Sequence, residues 1–400
     1  MSNITTKRII EEIAELIDIP DSSYELAENR YKDLADWFGR PEARCSKLDP
    51  HLSPQGSFRL GTVVRPLDEN GEYDLDMGCR LRTGITKATH TQKQLKYLVG
   101  DDLENYRVAR SIKETREEKH RCWRLKYADT LSFHLDVVPS IPEGVARKQM
   151  IKEAMVKNGS ADTLAKAVAD LAGAITDNTL ISYPIISDDW RISNSEGYAL
   201  WFESRMELAK LLLEKWASAA KAAKIDKLPT FRRKSPLQQC VQILKRHRDV
   251  MFKDNPNGKP ISIIVTTLAA AAYQGEVEID DALESILIRM GGLIRSTIPQ
   301  IPNPVNPVED FADKWAKPEY AQRKLEKNFR EWLVQANSDL REIQKVRSAE
   351  LVAKLAHERF AVKLTSEELR KIPGLDLVAT PEVSKSHTIA IPPAKPWSIK

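Results

Sequence analysis

Residues 72–81 read EYDLDMGCRL, and their alternation decides how the rest of the chain is read. Tyr73, Leu75, Met77, Cys79 and Leu81 are apolar, and Asp74, Asp76, Gly78 and Arg80 fall between them. Successive side chains of a strand point to opposite faces, so a period of two describes a half-buried strand with both aspartates on its polar face. A D-x-D alone is more often a solvated strand face than a site. Its setting changes that balance. Just upstream, residues 54–62 read PQGSFRLGT, where Gly56 lets the backbone N–H groups of a turn approach a phosphate and the Ser57 hydroxyl can donate to one.

Downstream, HRCWRLKYA (residues 120–128) is joined by Asp129 and Thr130 to LSFHLDVVPSI (131–141), which reads as two paired strands with a tight connection. Phe133, Leu135 and Val137 then face a core, and His134, Asp136 and Val138 face the other way. A lone carboxylate in such a segment is disfavoured unless it faces a site. Phosphoryl and nucleotidyl transfer depend on charge neutralisation and in-line positioning, which two divalent cations about 4 Å apart provide. Mg²⁺ takes oxygen ligands, and Mn²⁺ can take the same ones. Asp74, Asp76 and Asp136 are therefore the candidate metal ligands and catalytic residues.

The 400 residues suggest two packed domains. Strand patterns come first and helical ones later, which predicts an α+β architecture with a mixed sheet, packed against a helical lobe, with the site in the cleft between them. The expected divisions are residues 1–190 for N-terminal helices and a catalytic domain, 191–375 for a helical domain, and 376–400 for a flexible tail. In the first of these, Thr5 to about Gly39 is helical with a break at Pro20, and in the second the proline-rich IPQIPNPVNPVEDFADKW (298–315) reads as an extended connection. A formal charge of +4 gives no ground for an obligatory DNA or RNA partner. Cys45, Cys79, Cys122 and Cys240 form no CxxC pair and read as reduced packing residues. The amino terminus lacks the apolar stretch of a signal peptide, and ISIIVTTLAAAAY from Ile261 falls short of the roughly 18 residues of a membrane span, so a cytoplasmic protein without membrane contact is expected.

GSFRLGT, EYDLDMGCRL and FHLDVVPSI together resemble the three motifs of the DNA polymerase beta-like nucleotidyltransferases. More narrowly, GYALWFESRM (197–206), VQILKRHRDVMF (241–252) and IPNPVNPVEDFADKW (301–315) are similar to the bacterial cGAS/DncV-like nucleotidyltransferases, the CD-NTases of anti-phage CBASS operons. The likeness runs from about residue 40 to 330 and is nearest to the clade lettered D, with C its neighbour. It implies that Asp74, Asp76 and Asp136 bind two Mg²⁺ ions and that Gln55, Gly56 and Ser57 line the donor triphosphate. It further implies a lysine and a serine on facing helices at the outer phosphates, for which Lys245 and Ser262 are the candidates. Lys245 also lies at the edge of the apolar stripe formed by Leu237, Cys240, Val241, Leu244 and Met251, with Arg246 and Arg248 on more polar faces.

The activity so implied is synthesis of a cyclic oligonucleotide messenger, an adenine-containing trinucleotide, from ATP with or without GTP. The implied partners are a HORMA-type regulator or a ubiquitin-transfer-like enzyme acting at the C-terminal tail. A template-independent RNA-tailing or oligoadenylate-synthesising enzyme would share the aspartates, and an inactive nucleotide-binding module is the third possibility. His120, His134 and His247 lack metal-ligand spacing and read as surface residues, and Trp190, Trp201 and Trp216 as packing residues.

Overall fold

The computed structural model describes residues 4–68, 71–127, 133–219 and 234–376, with the side chains of 209–219 excepted. EYDLDMGCRL forms the strand β2 (Tyr73–Leu81), whose apolar positions are buried and whose Asp74 is exposed. β1 (Pro50–Gln55) pairs antiparallel with β2, and β5 (Phe133–Pro142) pairs parallel with its other edge. Beyond β5 lie β4 (Trp123–Tyr127) and the short β3 (Glu117–Glu118). β6 (Gly173–Ile175) and β7 (Arg191–Ser193) extend the sheet from the far end of β5, giving the expected mixed sheet of seven strands.

Helices α2 (Asp21–Gly39) and α4 (Gln92–Ala109) cover the apolar side of this sheet. Leu34, Trp37 and Phe38 from α2 join Leu95, Val99 and Leu103 from α4 against Leu75, Met77, Leu135 and Val137. α4 starts at Thr91, whose hydroxyl accepts from the Gln94 N–H while the Gln94 side chain accepts from Thr91, a reciprocal cap. Between β1 and β2 the chain makes the short helix α3 (Gly56–Leu60).

The second core is helical. α8 (Pro236–Met251) runs through it, started by the Ser235–Gln238 reciprocal cap with Pro236 in the first turn. Around it pack α9 (Ser262–Ala272), α10 (Ile279–Met290), α11 (Leu325–Lys345), α12 (Ala349–Phe360) and the beginning of α7 (Ser195–Ala219). α13 (Ser366–Lys371) closes the described chain. The proline-rich connection contains a small hairpin of β8 (Pro302–Asn303) and β9 (Asn306–Asp310), where the Asp310 carboxylate accepts from the N–H groups of Gln300 and Ile301 at 2.8 and 3.0 Å.

The two cores do not divide at residue 190. α1 (Ile4–Ile17) places Ile9, Ile10, Ile13 and Ile17 in the helical core, and α5 (Val145–Lys157) and α6 (Asp162–Asp170) add Ile151, Met155, Ala165 and Val168 to it. The reason is the stripe on α1: its isoleucines are buried against α8, α10, α11 and α12, so the amino terminus joins the other lobe. The tail and the connection at Asp129 and Thr130 lie outside the described residues. Among the described residues no helix is long and apolar enough to cross a membrane.

Candidate active site

Parallel pairing of β2 and β5 sets Asp76 beside Asp136 and Asp74 beside His134. On the other edge of β2, Gln55 is the register partner of Asp76, and Gly56 follows at once. Gly56 has φ of +62°, and a Cβ added to it would lie 2.0 Å from Asp76 Oδ2. Glycine is thus required twice here, once by the backbone and once by the carboxylate pressed against it. The turn, the D-x-D strand and the later aspartate meet at one place on the polar side of the sheet.

Their charges are in conflict. The Asp76 carboxyl is pushed up to about 7, first by burial and then by the neighbouring carboxylates of Asp136 and Asp74, against the opposing pull of Arg124 and Lys245. Asp74 is 68% exposed and lies 3.6 Å from His134 Nδ1, whose other ring nitrogen is 2.6 Å from Glu72. Asp136 is held by Arg124, with Nε donating to Oδ1 and Nη2 to Oδ2, both at 2.7 Å. Among the described residues, no three His, Cys, Asp or Glu side chains stand so as to hold a metal ion as they are. The donor set nevertheless suits a hard divalent cation: oxygen ligands from two adjacent strands, one of them with its charged form disfavoured by burial and by its carboxylate neighbours.

The helical lobe grips the segment that follows the glycine turn. Gln238 Nε2 donates to the Leu60 carbonyl (2.9 Å), Lys245 Nζ to Thr62 (2.7 Å), Gln242 Nε2 to Val63 (2.6 Å) and Arg246 Nη2 to Arg65 (2.7 Å). Positions 238, 242, 245 and 246 are four, seven and eight residues on from the first, so they share one face of α8. Gln242, Lys245 and Arg246 are buried and Gln238 half-buried, and each satisfies a carbonyl at the end of α3 or in the loop that follows it. The Lys245 ammonium is pushed down to about 7 by burial and, next, by Arg248.

Lys245 and Ser262 do lie on packed helices, α8 and α9. Ser262 Oγ, however, accepts from Arg248 Nη1 at 3.0 Å, and the same guanidinium bonds the Pro260 carbonyl and Asp249. The Gln55 amide lies over Gly78, where an added Cβ would meet Nε2 at 2.2 Å. Ser57 opens the first turn of α3, and its carbonyl accepts from the Thr62 N–H at 2.9 Å.

Two expectations need correction. Arg246 and Arg248 are 4% and 3% exposed, not on solvated faces, and His247 is 4% exposed, not a surface residue. His247 Nε2 lies 2.8 Å from Asp339 Oδ2, while its Nδ1 accepts from Trp332 Nε1 at 3.1 Å. Trp190 and Trp201 are packing residues as read, and the side chain of Trp216 lies outside the described residues.

A mixed sheet with aspartates on two adjacent central strands, a glycine turn against one of them and a helical lobe behind defines a nucleotidyltransferase. Residues 50–139 match the family described as cyclic GMP-AMP synthase DncV-like, nucleotidyltransferase domain. That match covers the two aspartate strands and the glycine turn, and the likeness to named proteins extends beyond it. A c-di-GMP synthase of Roseivirga ehrenbergii is 28% identical over 346 residues, covering 84% of this chain and 79% of that protein. CdnG of Bradyrhizobium diazoefficiens, a cyclic dinucleotide synthase, is 25% identical over 336 residues, covering 78% and 71%. The fold of that CdnG in complex with GTP matches with a TM-score of 0.62 at 20% identity, over 92% of this chain and 97% of that one. CdnC of Escherichia coli in its HORMA complex matches with a TM-score of 0.54 at 13% identity, over 89% and 97%.

Proposed function

We propose that this chain joins purine nucleoside triphosphates, GTP with or without ATP, into a cyclic oligonucleotide and releases pyrophosphate. The observation that carries this reading is the crowding of Asp76 by Asp136 and Asp74 beside Gly56, which pushes one carboxyl up to about 7. The relatives are named as a c-di-GMP synthase and a cyclic dinucleotide synthase, which favours a ring of two with guanine in it. The trinucleotide expected from the motifs has no support from either name.

Asp74, Asp76 and Asp136 would hold two Mg²⁺ ions, which supply charge neutralisation at the α-phosphorus and lower the pKa of an acceptor ribose hydroxyl. The residues of the chain do the positioning. The Gly56-Ser57 turn lets backbone N–H groups approach the triphosphate, and Gln55 borders the same turn. Lys245, tied to the Thr62 carbonyl by one N–H, keeps two more donors on the segment leading from that turn and supports the outer phosphates. In-line attack by the hydroxyl on the α-phosphorus, with pyrophosphate leaving opposite, would draw on this positioning, and the orientation is then paid for in folding.

A HORMA-type regulator is the partner that the CdnC complex favours, with a ubiquitin-transfer-like enzyme at the C-terminal tail as the other candidate. The setting we propose is cytoplasmic anti-phage signalling. Incubation with Mg²⁺ and labelled GTP, ATP or both, followed by phosphatase and mass spectrometry, tests the reading. A phosphatase-resistant cyclic product is expected. A ladder of linear products would make the protein a tailing enzyme, and no turnover with any nucleotide pair and HORMA partner would make it a binding module.

A further inference from the structure

Arg124 has no part in the reading above, yet it makes the strongest contact in the site. It stands on β4 as the register partner of Asp136 on β5, and on its other side faces Glu117 on β3. Glu117 is already engaged by Lys119 at 2.6 Å and Lys126 at 2.8 Å, so the guanidinium is directed to Asp136. The contact is a side-on fork with both N–H···O distances at 2.7 Å. Arg124 and Asp136 side chains are 25% and 16% exposed, so water screens the pair only in part.

The three carboxylates are therefore not equivalent. Asp74 is open to solvent, Asp76 is pressed against Gly56 beside Asp136, and Asp136 has a fixed cation across both oxygens. An ion shared by Asp76 and Asp136 needs an oxygen that Arg124 now occupies, and its charge would be repelled by a guanidinium a few ångströms away.

We infer that Arg124 is a positioning residue that competes with divalent cations for Asp136, giving up one of its two bonds when an ion binds. The bare ion then binds weakly. An ion arriving with a triphosphate brings phosphate oxygens as further ligands and binds well, so the site is completed by the nucleotide complex and not by free metal. The remaining Arg124 bond keeps Asp136 oriented. This inference rests on the metal-site reading of the three aspartates.

Titration of free Mn²⁺ by electron paramagnetic resonance, without nucleotide, separates the two. Arg124→Gln should bind Mn²⁺ about tenfold more tightly than the wild type. Arg124→Lys, which keeps the charge and loses the fork, should fall between them and serves if the glutamine variant folds poorly. Equal or weaker binding by either folded variant overturns the competition while leaving the metal site standing. If Arg124→Gln and the double variant Arg124→Gln with Asp136→Asn bind Mn²⁺ alike, the site reading itself fails, and the inference with it.

Discussion

Two clusters of buried charge in this molecule have been resolved in opposite ways. In the helical lobe, Asp339 receives His247 at 2.8 Å and Gln335 at 2.8 Å, with Arg359 at 3.2 Å, and Trp332 donates to the far nitrogen of the imidazole. Burial works to raise the Asp339 carboxyl, but the bonds from His247 and Gln335 and the nearby Arg359 guanidinium hold it below its ordinary value. In the catalytic lobe, burial and two like charges push Asp76 up to about 7. One cluster contains its own counter-charges, and the other is built so that something further must supply them. Buried carboxylates alone do not mark a site, but an unbalanced set does.

That contrast can be broken by substitution. Asp76→Asn should reduce nucleotidyl transfer about a thousandfold, because the acceptor hydroxyl loses its activation, while the melting temperature stays the same or rises as repulsion is removed. A variant that keeps its turnover would take Asp76 out of the chemistry. Asp339→Asn should do the reverse. It should cost about 2–3 kcal/mol of stability in urea titrations, since the buried partners of Asp339 lose their acceptor, and leave turnover per folded molecule near wild type.

Lys245 belongs to both kinds of region, and its substitution sharpens the comparison. Lys245→Ala should raise the KM for nucleotide and also cost about 1–2 kcal/mol, because the buried Thr62 carbonyl is left unpaired. A pure KM effect would mean that water replaces the ammonium at that carbonyl.

The pH dependence is the smallest effect and differs in sign between the clusters. Asp76 has a raised folded-state pKa, so the native form keeps a proton that the unfolded chain releases, and its contribution to stability declines as pH rises from about 4 to about 7. The stability advantage of Asp76→Asn over wild type should therefore widen across that window and stay level above it. Asp339 has a lowered pKa, so its contribution is present above the usual carboxylate range and disappears as the pH falls below it.

Much of the site could be read from periodicity. The alternation in EYDLDMGCRL and FHLDVVPSI placed Asp74, Asp76 and Asp136 on the polar side of their strands, and the structure has them on one sheet face. Arg124 was hidden by register. A tight turn at Asp129 and Thr130 would set Arg124 against Leu135, whereas Tyr127 pairs with Phe133 and Arg124 with Asp136. A slip of one residue moves a side chain to the other partner and the other face.

The α8 grip was hidden for another reason. Gln238, Gln242, Lys245 and Arg246 have backbone carbonyls as partners, and a carbonyl leaves no trace in the residue pattern. Arg246 and Arg248 therefore looked like residues of polar faces, and His247 like a surface residue, although all three are buried. The membership of α1 in the helical core was likewise invisible, since a stripe of isoleucines says that a face is covered and not by what.

Thermal denaturation of wild type and Asp76→Asn in the presence of nucleoside triphosphate, with and without millimolar Mn²⁺, tests the unbalanced cluster most directly. The wild type should melt at a higher temperature with the ion, and the variant should lose most of that gain. The same gain in both proteins, or none in the wild type, would contradict the account.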